Sequence, residues 1–366
     1  LFINDVYNKQ VFLEKNPVLK ELILESSNFL PECMGITPKN KVWSNICGTD
    51  LIRDDKGKFF VLEDNLRVPS GVAYMLENRN IMKRVIPDLF NSYAVNPIDD
   101  YPSQLFKCLG EASFNTNANK KIVVLTPGVF NSAYFEHSYL AQQMGIHLVE
   151  GNDLVCQDNN VYLKTTSGIQ KVDVIYRRID DDYLDPKSFR KDSMLGVPGL
   201  LDVLSKGKVA IANAPGTGLA DDKLIYAYVP DMIRYYLKEE PLINNVKTYV
   251  CARSTDLNFV LENLAKLVVK SVSEAGGYGM LIGPQSSRID IDKFSAKIKA
   301  NPRNYIAQPT LDLSTVPSLS DGEVYPCHVD LRPYVLRGKN TWVSPGGLTR
   351  VALKRDSLIV NSSQGG

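Results

Sequence analysis

Residues 268–280 read VVKSVSEAGGYGM, so a strand-like run ends near a lysine, Lys270, and leads into a loop with three glycines in four positions. Glycines let backbone N–H groups approach phosphate oxygens and form an anion nest, while a nearby lysine supplies a point charge. The loop lacks the Gly-Lys-Ser/Thr of a Walker A motif and the G-x-G-x-x-G spacing of a dinucleotide-binding helix. Taken alone, it fits a phosphate site and a glycine-rich hairpin without a ligand equally well.

A second lysine, Lys223, follows the run GTGLADD at residues 216–222 and opens a predicted helix. Asp221 or Asp222 would cap that helix. A single lysine in a first helical turn is usually solvated and has no binding role. Together with Lys270, however, Lys223 makes a pair of cations that suits a triphosphate.

An acidic group lies near the front of the chain, where residues 61–71 read VLEDNLRVPSG. Glu63 and Asn65 are two residues apart and therefore share one face of a strand. Asp50 lies on the preceding predicted strand, and the turn residues Asp54–Gly57 would bring the two strands together as a hairpin. Carboxylate and amide oxygens are ligands that Mg²⁺ prefers. Without other context, an exposed polar hairpin face would be the better explanation.

Composition limits the class of protein. The 366 residues allow two or three domains, and 42 basic against 41 acidic residues give no surplus of positive charge for nucleic acid or an anionic membrane. The six cysteines show no metal-finger or Cys-x-x-Cys spacing, so reduced thiols are expected. No run is apolar enough for a membrane span, and no signal peptide is recognisable. We expect a cytoplasmic protein with small-molecule or peptide substrates and an undetermined oligomeric state.

The order of predicted elements indicates an α/β (α+β composite) chain. Helical spacing covers Val11–Phe29 and Ala73–Arg84, and a βαβ unit of the parallel-sheet kind covers residues 122–149. Soft boundaries near residues 95 and 215 divide the chain into residues 1–95 with the acidic group, 96–215 with the βαβ unit, and 216–366 with the glycine loop.

These segments together resemble the circularly permuted ATP-grasp proteins, akin to the ligase domain of glutathionylspermidine synthase, over nearly the whole chain. The motifs that carry the resemblance are long and specific: GTDLIRD at 48–54, residues 62–71, LTPG at 125–128, NSAYFEH at 131–137, YRRIDDD at 176–182, residues 218–223, the 270–279 loop, HVDLRPY at 328–334 and VNSSQGG at 360–366. The resemblance implies an ATP-grasp fold, circularly permuted, with a Rossmann-like pre-ATP-grasp βαβ domain.

The resemblance also implies roles by position. It places the Mg²⁺ ligands at Asp50, Glu63 and Asn65, and the phosphate-binding lysines at Lys223 and Lys270. The mobile lid falls on the 270–279 loop with Glu274, Gly276, Gly277 and Gly279, the adenine hinge on Gln308, and an arginine that faces the transferred phosphate on Arg350.

Two departures from that pattern are visible. The synthase has an arginine two positions before its first metal aspartate, where this chain has Gly48. Contact with the reacting carboxylate would pass to Arg53, Arg67 or Arg332, or be absent. Ser271 also stands where a proline is usual.

The function implied by the resemblance is an ATP-dependent carboxylate–amine ligase that forms an acyl-phosphate and releases ADP and phosphate. Two alternatives stay open: a non-catalytic nucleotide-binding scaffold and an ATP-grasp phosphotransferase. Arg177 and Arg178 beside three aspartates fit either a carboxylate-binding site or an internal salt-bridge network. His137 fits a buried, satisfied histidine better than a residue of a substrate cleft.

Overall fold

A computed structural model of the chain describes residues 1–272, 279–311, 313–320, 322–352 and 360. The chain divides into two compact units. Unit 1 comprises Leu1–Gly48, Asn65–Leu219 and Pro333–Leu348, and unit 2 comprises Thr49–Asp64, Ala220–Arg332 and Thr349–Gly366. The three-part division expected from the sequence, with boundaries near 95 and 215, stays a prediction.

The helices of unit 1 begin and end largely where prolines and glycines permit. Pro17 occupies the first turn of a helix, and so the predicted stretch Val11–Phe29 forms two helices instead of one. Pro87 likewise occupies the first turn of a separate helix. The helices are α1 (Phe2–Val6), α2 (Val11–Glu14), α3 (Pro17–Leu24), α4 (Val72–Val85), α5 (Pro87–Asn91), α6 (Tyr101–Ala112), α7 (Tyr134–Met144), α8 (Asp181–Leu184) and α9 (Leu200–Ser205).

A parallel sheet forms the centre of unit 1 and confirms the predicted βαβ unit. Its order is β4-β3-β8-β9, and each neighbouring pair is parallel. Gly145 ends α7 in the left-handed conformation, with φ of 65°, before the chain enters the next strand. A separate antiparallel sheet has the order β5-β6-β7. The strands are β3 (Ile122–Leu125), β4 (His147–Val149), β5 (Leu154–Gln157), β6 (Asn160–Thr165), β7 (Gly168–Val172), β8 (Val174–Arg177) and β9 (Ala210–Ala212).

Unit 2 contains a smaller antiparallel sheet that is packed against two helices. Its order is β11-β14-β12-β13. Val260, Leu267 and Ile298 are among the side chains of its core. The elements are α10 (Lys223–Tyr226), α11 (Val229–Leu237), α12 (Ser254–Asn263), α13 (Arg288–Ala300), β10 (Asn244–Asn245), β11 (Tyr249–Val250), β12 (Leu267–Ser271), β13 (Leu281–Ile282), β14 (Tyr305–Pro309) and β15 (Thr315–Ser320).

Four further strands have residues in both units: β1 (Ile46–Arg53), β2 (Phe59–Asn65), β16 (Glu323–Arg337) and β17 (Thr341–Val351). The sheet that they join has the order β10-β2-β1-β16-β15, with β17 paired to β16. The backbone N–H of Asp54 donates to the carbonyl of Lys58, and Gly57 has a φ of 80°. The turn predicted between β1 and β2 is therefore confirmed.

All six cysteines are free thiols, as expected. In the described ranges, no helix is both long and apolar enough to cross a membrane.

The buried side chain of Asn213, directly after β9, joins three segments of unit 1. Its Oδ1 accepts hydrogen bonds from the backbone N–H groups of Asn45 (2.7 Å) and Ile46 (2.9 Å). Its Nδ2 donates to the carbonyls of Ile46 (2.7 Å) and Leu66 (2.6 Å). Ile46 begins β1 and Leu66 follows β2, so one amide fixes both ends of the segment that carries Asp50, Glu63 and Asn65.

We predict that Asn213→Ala lowers the free energy of unfolding by about 4 kcal/mol, because four backbone groups lose partners that are each worth roughly 1 kcal/mol. Urea denaturation measures the difference. Asn119→Ala is the control, because Asn119 is exposed and its replacement should change stability by less than about 0.5 kcal/mol. Equal stability of both variants would show that the Asn213 bonds contribute nothing.

Candidate functional site

Lys270 lies on β12, one of the two inner strands of the antiparallel sheet in unit 2. It is paired with Ile306 of β14, and Val268 two residues earlier is paired with Gln308. Side chains along β12 alternate between buried and half-buried, and Lys270 belongs to the half-buried face. The apolar core under the other face therefore fixes the strand that presents this lysine.

Lys223 and Glu63 come together in unit 2. The Nζ of Lys223 lies 3.9 Å from Oε2 of Glu63, and their side chains are 16% and 32% exposed. Asp222 caps α10 by accepting a hydrogen bond from Leu224 N–H, which confirms one of the two predicted caps. Tyr226, at the other end of α10, donates its hydroxyl to the carbonyl of Val61 on β2. This bond ties the helix that carries Lys223 to the strand that carries Glu63.

The electrostatics link Lys270 to the same group. The pKa of Lys270 is lowered to about 8, chiefly by burial and also by the charge of Lys223, while the carboxylates of Glu63 and Asp50 oppose the shift. The ammonium ion of Lys270 is thus held at a place where the protein stabilises it poorly. An anionic ligand would restore that stability.

Asp50 lies in an ionic group with Arg332 and Arg350, all three in unit 2. Asp50 is 1% exposed. Its Oδ2 lies 2.8 Å from Nη2 of Arg332 and 2.7 Å from Nη2 of Arg350, and its Oδ1 accepts from Nε of Arg332. Burial alone would raise the pKa of the Asp50 carboxyl, but the hydrogen bonds and charges of the two arginines outweigh burial and lower it.

Asp330 completes this ionic group, and it was not among the candidate residues predicted from the sequence. Its Oδ1 accepts from Nε of Arg350 at 2.9 Å, and its Oδ2 contacts Nη2 of the same arginine. Asp330 lies two residues before Arg332 on β16, so both share one face of the strand. That spacing, in a strand where Tyr334 and Leu336 continue the buried face, is the signal that could have revealed it.

Asn65 and Gln308 have their side-chain nitrogens engaged. In unit 1, Asn65 Nδ2 donates to the Gly48 carbonyl at 3.2 Å. In unit 2, Gln308 is 3% exposed and its Nε2 donates to Thr248 Oγ1 at 2.9 Å. A cavity of about 410 Å³ adjoins this hinge, with Phe60, Arg234, Lys247, Thr248, Pro309 and Leu311 among its lining residues.

The glycine-rich loop is only partly described. Glu274, Gly276 and Gly277 lie outside the described residues, so their predicted roles stay predictions. Gly279 lies in a turn with φ of 65°, a conformation that favours glycine. The 361–366 part of the last motif is also outside the described residues.

The predicted Mg²⁺ ligands fit the ion unequally. Glu63 offers a half-buried carboxylate. Asn65 offers the oxygen of an amide whose nitrogen donates to the Gly48 carbonyl. Both oxygens of Asp50, by contrast, accept from guanidinium groups. Within the part of the chain that the structure describes, no cluster of three or more His, Cys, Asp or Glu side chains is arranged to hold a metal ion. The donors that fit would need oxygens from a bound phosphate to complete the shell.

Arg177 and Arg178 in unit 1 form an internal network. Arg177 is 1% exposed and pairs with Asp181 at 2.9 Å. Arg178 pairs with buried Glu136 at 2.8 Å, and Glu136 accepts N–H groups at the start of α4. Of the two possibilities that the sequence left open, the salt-bridge network is the one found.

His137 is buried, as expected. Its Nδ1 lies 2.8 Å from Oγ1 of Thr126. Burial, with a smaller contribution from the charge of Arg178, lowers the pKa of His137 to about 3. The ring is therefore neutral at physiological pH and serves the core of unit 1.

Three arginines were candidates for contact with a reacting carboxylate. Arg332 is buried and bonded to Asp50. Arg53 is exposed and donates to Ser314 in unit 2, while Arg67 in unit 1 is 38% exposed and lies 3.5 Å from Asp180. Arg53 and Arg67 are therefore the two that a substrate could reach directly.

Comparison with known proteins identifies the family and the fold. Residues 1–352 match the family model of circularly permuted ATP-grasp proteins of type 2. A solved structure of a glutathione synthetase-like effector from Globodera pallida covers 96% of this chain and 80% of its own, with a TM-score of 0.58 and 13% sequence identity, which supports the fold alone.

Relatives extend over the whole chain. An uncharacterised protein of Synechocystis sp. is 58% identical over all 366 residues, which make up 76% of its length. An uncharacterised protein of Mycobacterium tuberculosis is 50% identical, and the chain spans 66% of it. A Frankia casuarinae protein with the provisional name glutamate–cysteine ligase 2-2 is 40% identical over the whole chain, which spans 42% of that protein.

The family model and the solved structure agree with the mixed helix-and-sheet fold. The chain belongs to the circularly permuted ATP-grasp family, type 2.

Proposed function

We propose that this chain is an ATP-dependent ligase that joins a carboxylate to an amine through an acyl-phosphate. The observation that carries the proposal is the meeting of Lys223 and Glu63 in unit 2, with Lys270 close enough for its pKa to respond to both. Two lysines from separate segments, one of them poorly stabilised as a cation, would suit a bound polyphosphate.

The chemistry proceeds in two balanced steps. A carboxylate oxygen of the substrate attacks the γ-phosphorus of ATP, and ADP leaves with the electrons of the broken bond. The amine then attacks the acyl carbon, phosphate leaves, and the amine releases a proton. Protein groups contribute positioning and charge neutralisation, since phosphoryl transfer needs little else.

Each named residue has a separate part in these steps. Lys223 and Lys270 would bind oxygens of the phosphate chain, and the Gln308 hinge would meet the adenine. Arg350 would face the phosphoryl group in transfer and neutralise its charge. Glu63 and Asn65 would hold Mg²⁺, which neutralises the β- and γ-phosphates when bound.

The choice of ligase chemistry is supported by the name of the Frankia relative, which describes coupling of glutamate to cysteine. Coupling of that kind joins a carboxylate to an amine. A closer likeness to glutathionylspermidine synthase, with a thiol peptide and a polyamine as substrates, is the finer form of the proposal. Because the chain spans only part of each relative, the substrates of the whole protein belong to the proposal as well.

The affinity for ATP should depend on pH through Lys270. Below its pKa of about 8 the lysine is already protonated, so affinity should be constant. Above pH 8 the free protein loses a proton that phosphate binding requires, and affinity should fall by up to about tenfold per pH unit. Calorimetry with a non-hydrolysable ATP analogue at saturating Mg²⁺ measures the profile.

Two variants test this assignment. Lys270→Gln should weaken binding about 10- to 100-fold at pH 7, the worth of a charge-assisted hydrogen bond, and should flatten the profile. Lys266→Gln is the matched control, because Lys266 is exposed just before β12. A wild-type affinity that stays constant to pH 9.5 would contradict the role of Lys270.

The nucleotide product should be ADP. A screen of pooled amino acids, peptides and polyamines for ADP release would identify the substrates. Hydroxylamine added with the carboxylate alone should then trap the activated acyl group as a hydroxamate, because it attacks an acyl-phosphate as an amine does.

Other products would identify other functions. AMP and pyrophosphate would contradict the proposed mechanism. ADP with a stable phosphorylated product and without hydroxamate or amide would indicate a phosphotransferase. Nucleotide binding without turnover of any pool would indicate a scaffold.

A further inference from the structure

Four charged side chains alternate in sign across neighbouring strands of unit 2. Asp330 and Arg332 share one face of β16, with Asp50 on β1 and Arg350 on β17. β16 is paired with both other strands. The order of contacts is Asp330 to Arg350, Arg350 to Asp50, and Asp50 to Arg332.

All four side chains are almost completely buried. Residue exposure is 1% for Asp50, 4% for Asp330 and 6% for each arginine. Buried charges persist when they are paired and hydrogen-bonded, and removal of one partner leaves another charge uncompensated. Two carboxylates and two guanidinium groups give this set no net charge, so it is complete without a further ion.

The contacts of Asp50 differ from those expected of a metal ligand. Each of its oxygens accepts from a guanidinium group, Oδ1 from Arg332 and Oδ2 from both arginines. A divalent cation at Asp50 would lie beside two positive charges and would compete with these hydrogen bonds. Glu63 has a half-buried carboxylate, and its described cation contact, Nζ of Lys223 at 3.9 Å, is longer than a hydrogen bond.

The contacts of Arg350 show how the two aspartates fix the position of its guanidinium group. Its Nε and Nη2 are used by the two aspartates. In the described ranges no hydrogen bond or ion pair uses Nη1, so this nitrogen is the donor for a phosphate oxygen. Because two aspartates hold the guanidinium plane, little conformational entropy is lost when a phosphoryl group binds.

We propose that Asp50 and Asp330 are positioning residues that hold Arg350 for the transferred phosphoryl group, that Arg332 balances the charge of Asp50, and that Asp50 does not ligate Mg²⁺. This assignment rests on the proposed function. It replaces the role that the resemblance implied for Asp50, and it gives a role to Asp330, which was not a predicted site residue.

Metal binding and turnover separate the two roles. The variants are Asp50→Asn, Asp330→Asn and Glu63→Gln, with Asp55→Asn as the matched control on an exposed position of the same hairpin. Mn²⁺ binding in the presence of a non-hydrolysable ATP analogue is measured by electron paramagnetic resonance. The kcat and the Mg²⁺ concentration for half-maximal ADP formation are measured in parallel.

We expect the variants to divide into one that loses Mn²⁺ affinity and two that lose turnover. Glu63→Gln should weaken Mn²⁺ binding at least about tenfold, the loss expected for one charged partner. Asp50→Asn and Asp330→Asn should leave Mn²⁺ affinity within about twofold of the wild type, yet lower kcat by about 10- to 100-fold. If Asp50→Asn weakens Mn²⁺ binding as much as Glu63→Gln does, Asp50 is a metal ligand and the proposal is wrong. Unchanged kcat in Asp330→Asn would equally remove the role of Asp330.

A double variant distinguishes positioning from a purely structural effect. If Asp330 acts through Arg350, the loss of kcat in D330N/R350Q should equal that of R350Q alone. Additive losses would contradict this coupling. The charge-balanced doubles D330N/R350Q and D50N/R350Q also provide folded proteins if the single variants do not fold. Absence of ADP formation by the wild type with every substrate pool would refute the proposed function, whereas the Mn²⁺ measurement would still decide the role of Asp50.

Discussion

Charge compensation inside unit 2 is the constraint on which the candidate site depends. A charge removed from water must be paired and hydrogen-bonded nearby, since the cost of leaving it alone exceeds the stability of a typical domain. Asp330, Arg350, Asp50 and Arg332 satisfy that requirement among themselves.

Lys270 is the contrasting case in the same unit. Its lowered pKa shows that burial and the neighbouring Lys223 outweigh the stabilisation from Glu63 and Asp50. The arginines therefore have fixed positions before any ligand arrives, whereas the lysine gains stability when an anion binds. A site of this kind would bind a polyphosphate through its lysines and act on it through Arg350.

Buried charges in unit 1 are also compensated by nearby partners, and this pairing excludes two arginines from direct contact with a substrate. Arg177 pairs with Asp181 and Arg178 pairs with Glu136, and both arginines also donate to backbone carbonyls. These bonds fix the segment that follows β2 and the start of α4. Several charged residues of the YRRIDDD motif therefore have a structural role in unit 1. Direct recognition of a substrate would fall to more exposed side chains such as Arg67.

The sequence predicted those parts of the fold in which hydrophobic pattern and turn residues agree. The βαβ unit, the β1–β2 hairpin and the Asp222 cap all follow from local rules. Strand β16 was not predicted, because its buried positions include Asp330 and Arg332 beside Tyr334 and Leu336. A strand with one buried face is usually recognised by apolar residues at every second position, and here two of these four buried positions are charged.

The same feature explains the limits of the site prediction. Lysines and carboxylates were recognised as an ATP site by residue type and by resemblance, without knowledge of their partners. Whether Asp50 is available to a metal depends on Arg332 and Arg350, which are 282 and 300 residues away in the chain. Such pairing is set by the order of strands in the sheet, and no local pattern encodes it.

Transfer of ¹⁸O from the carboxylate substrate to phosphate tests the central claim most directly. The measurement uses the carboxylate identified by ADP release, labelled in both oxygens, together with its amine partner. An acyl-phosphate requires that one labelled oxygen leave with the phosphate, so mass spectrometry should find one ¹⁸O in each released inorganic phosphate. Label in AMP, or amide formation with unlabelled phosphate, would contradict the mechanism.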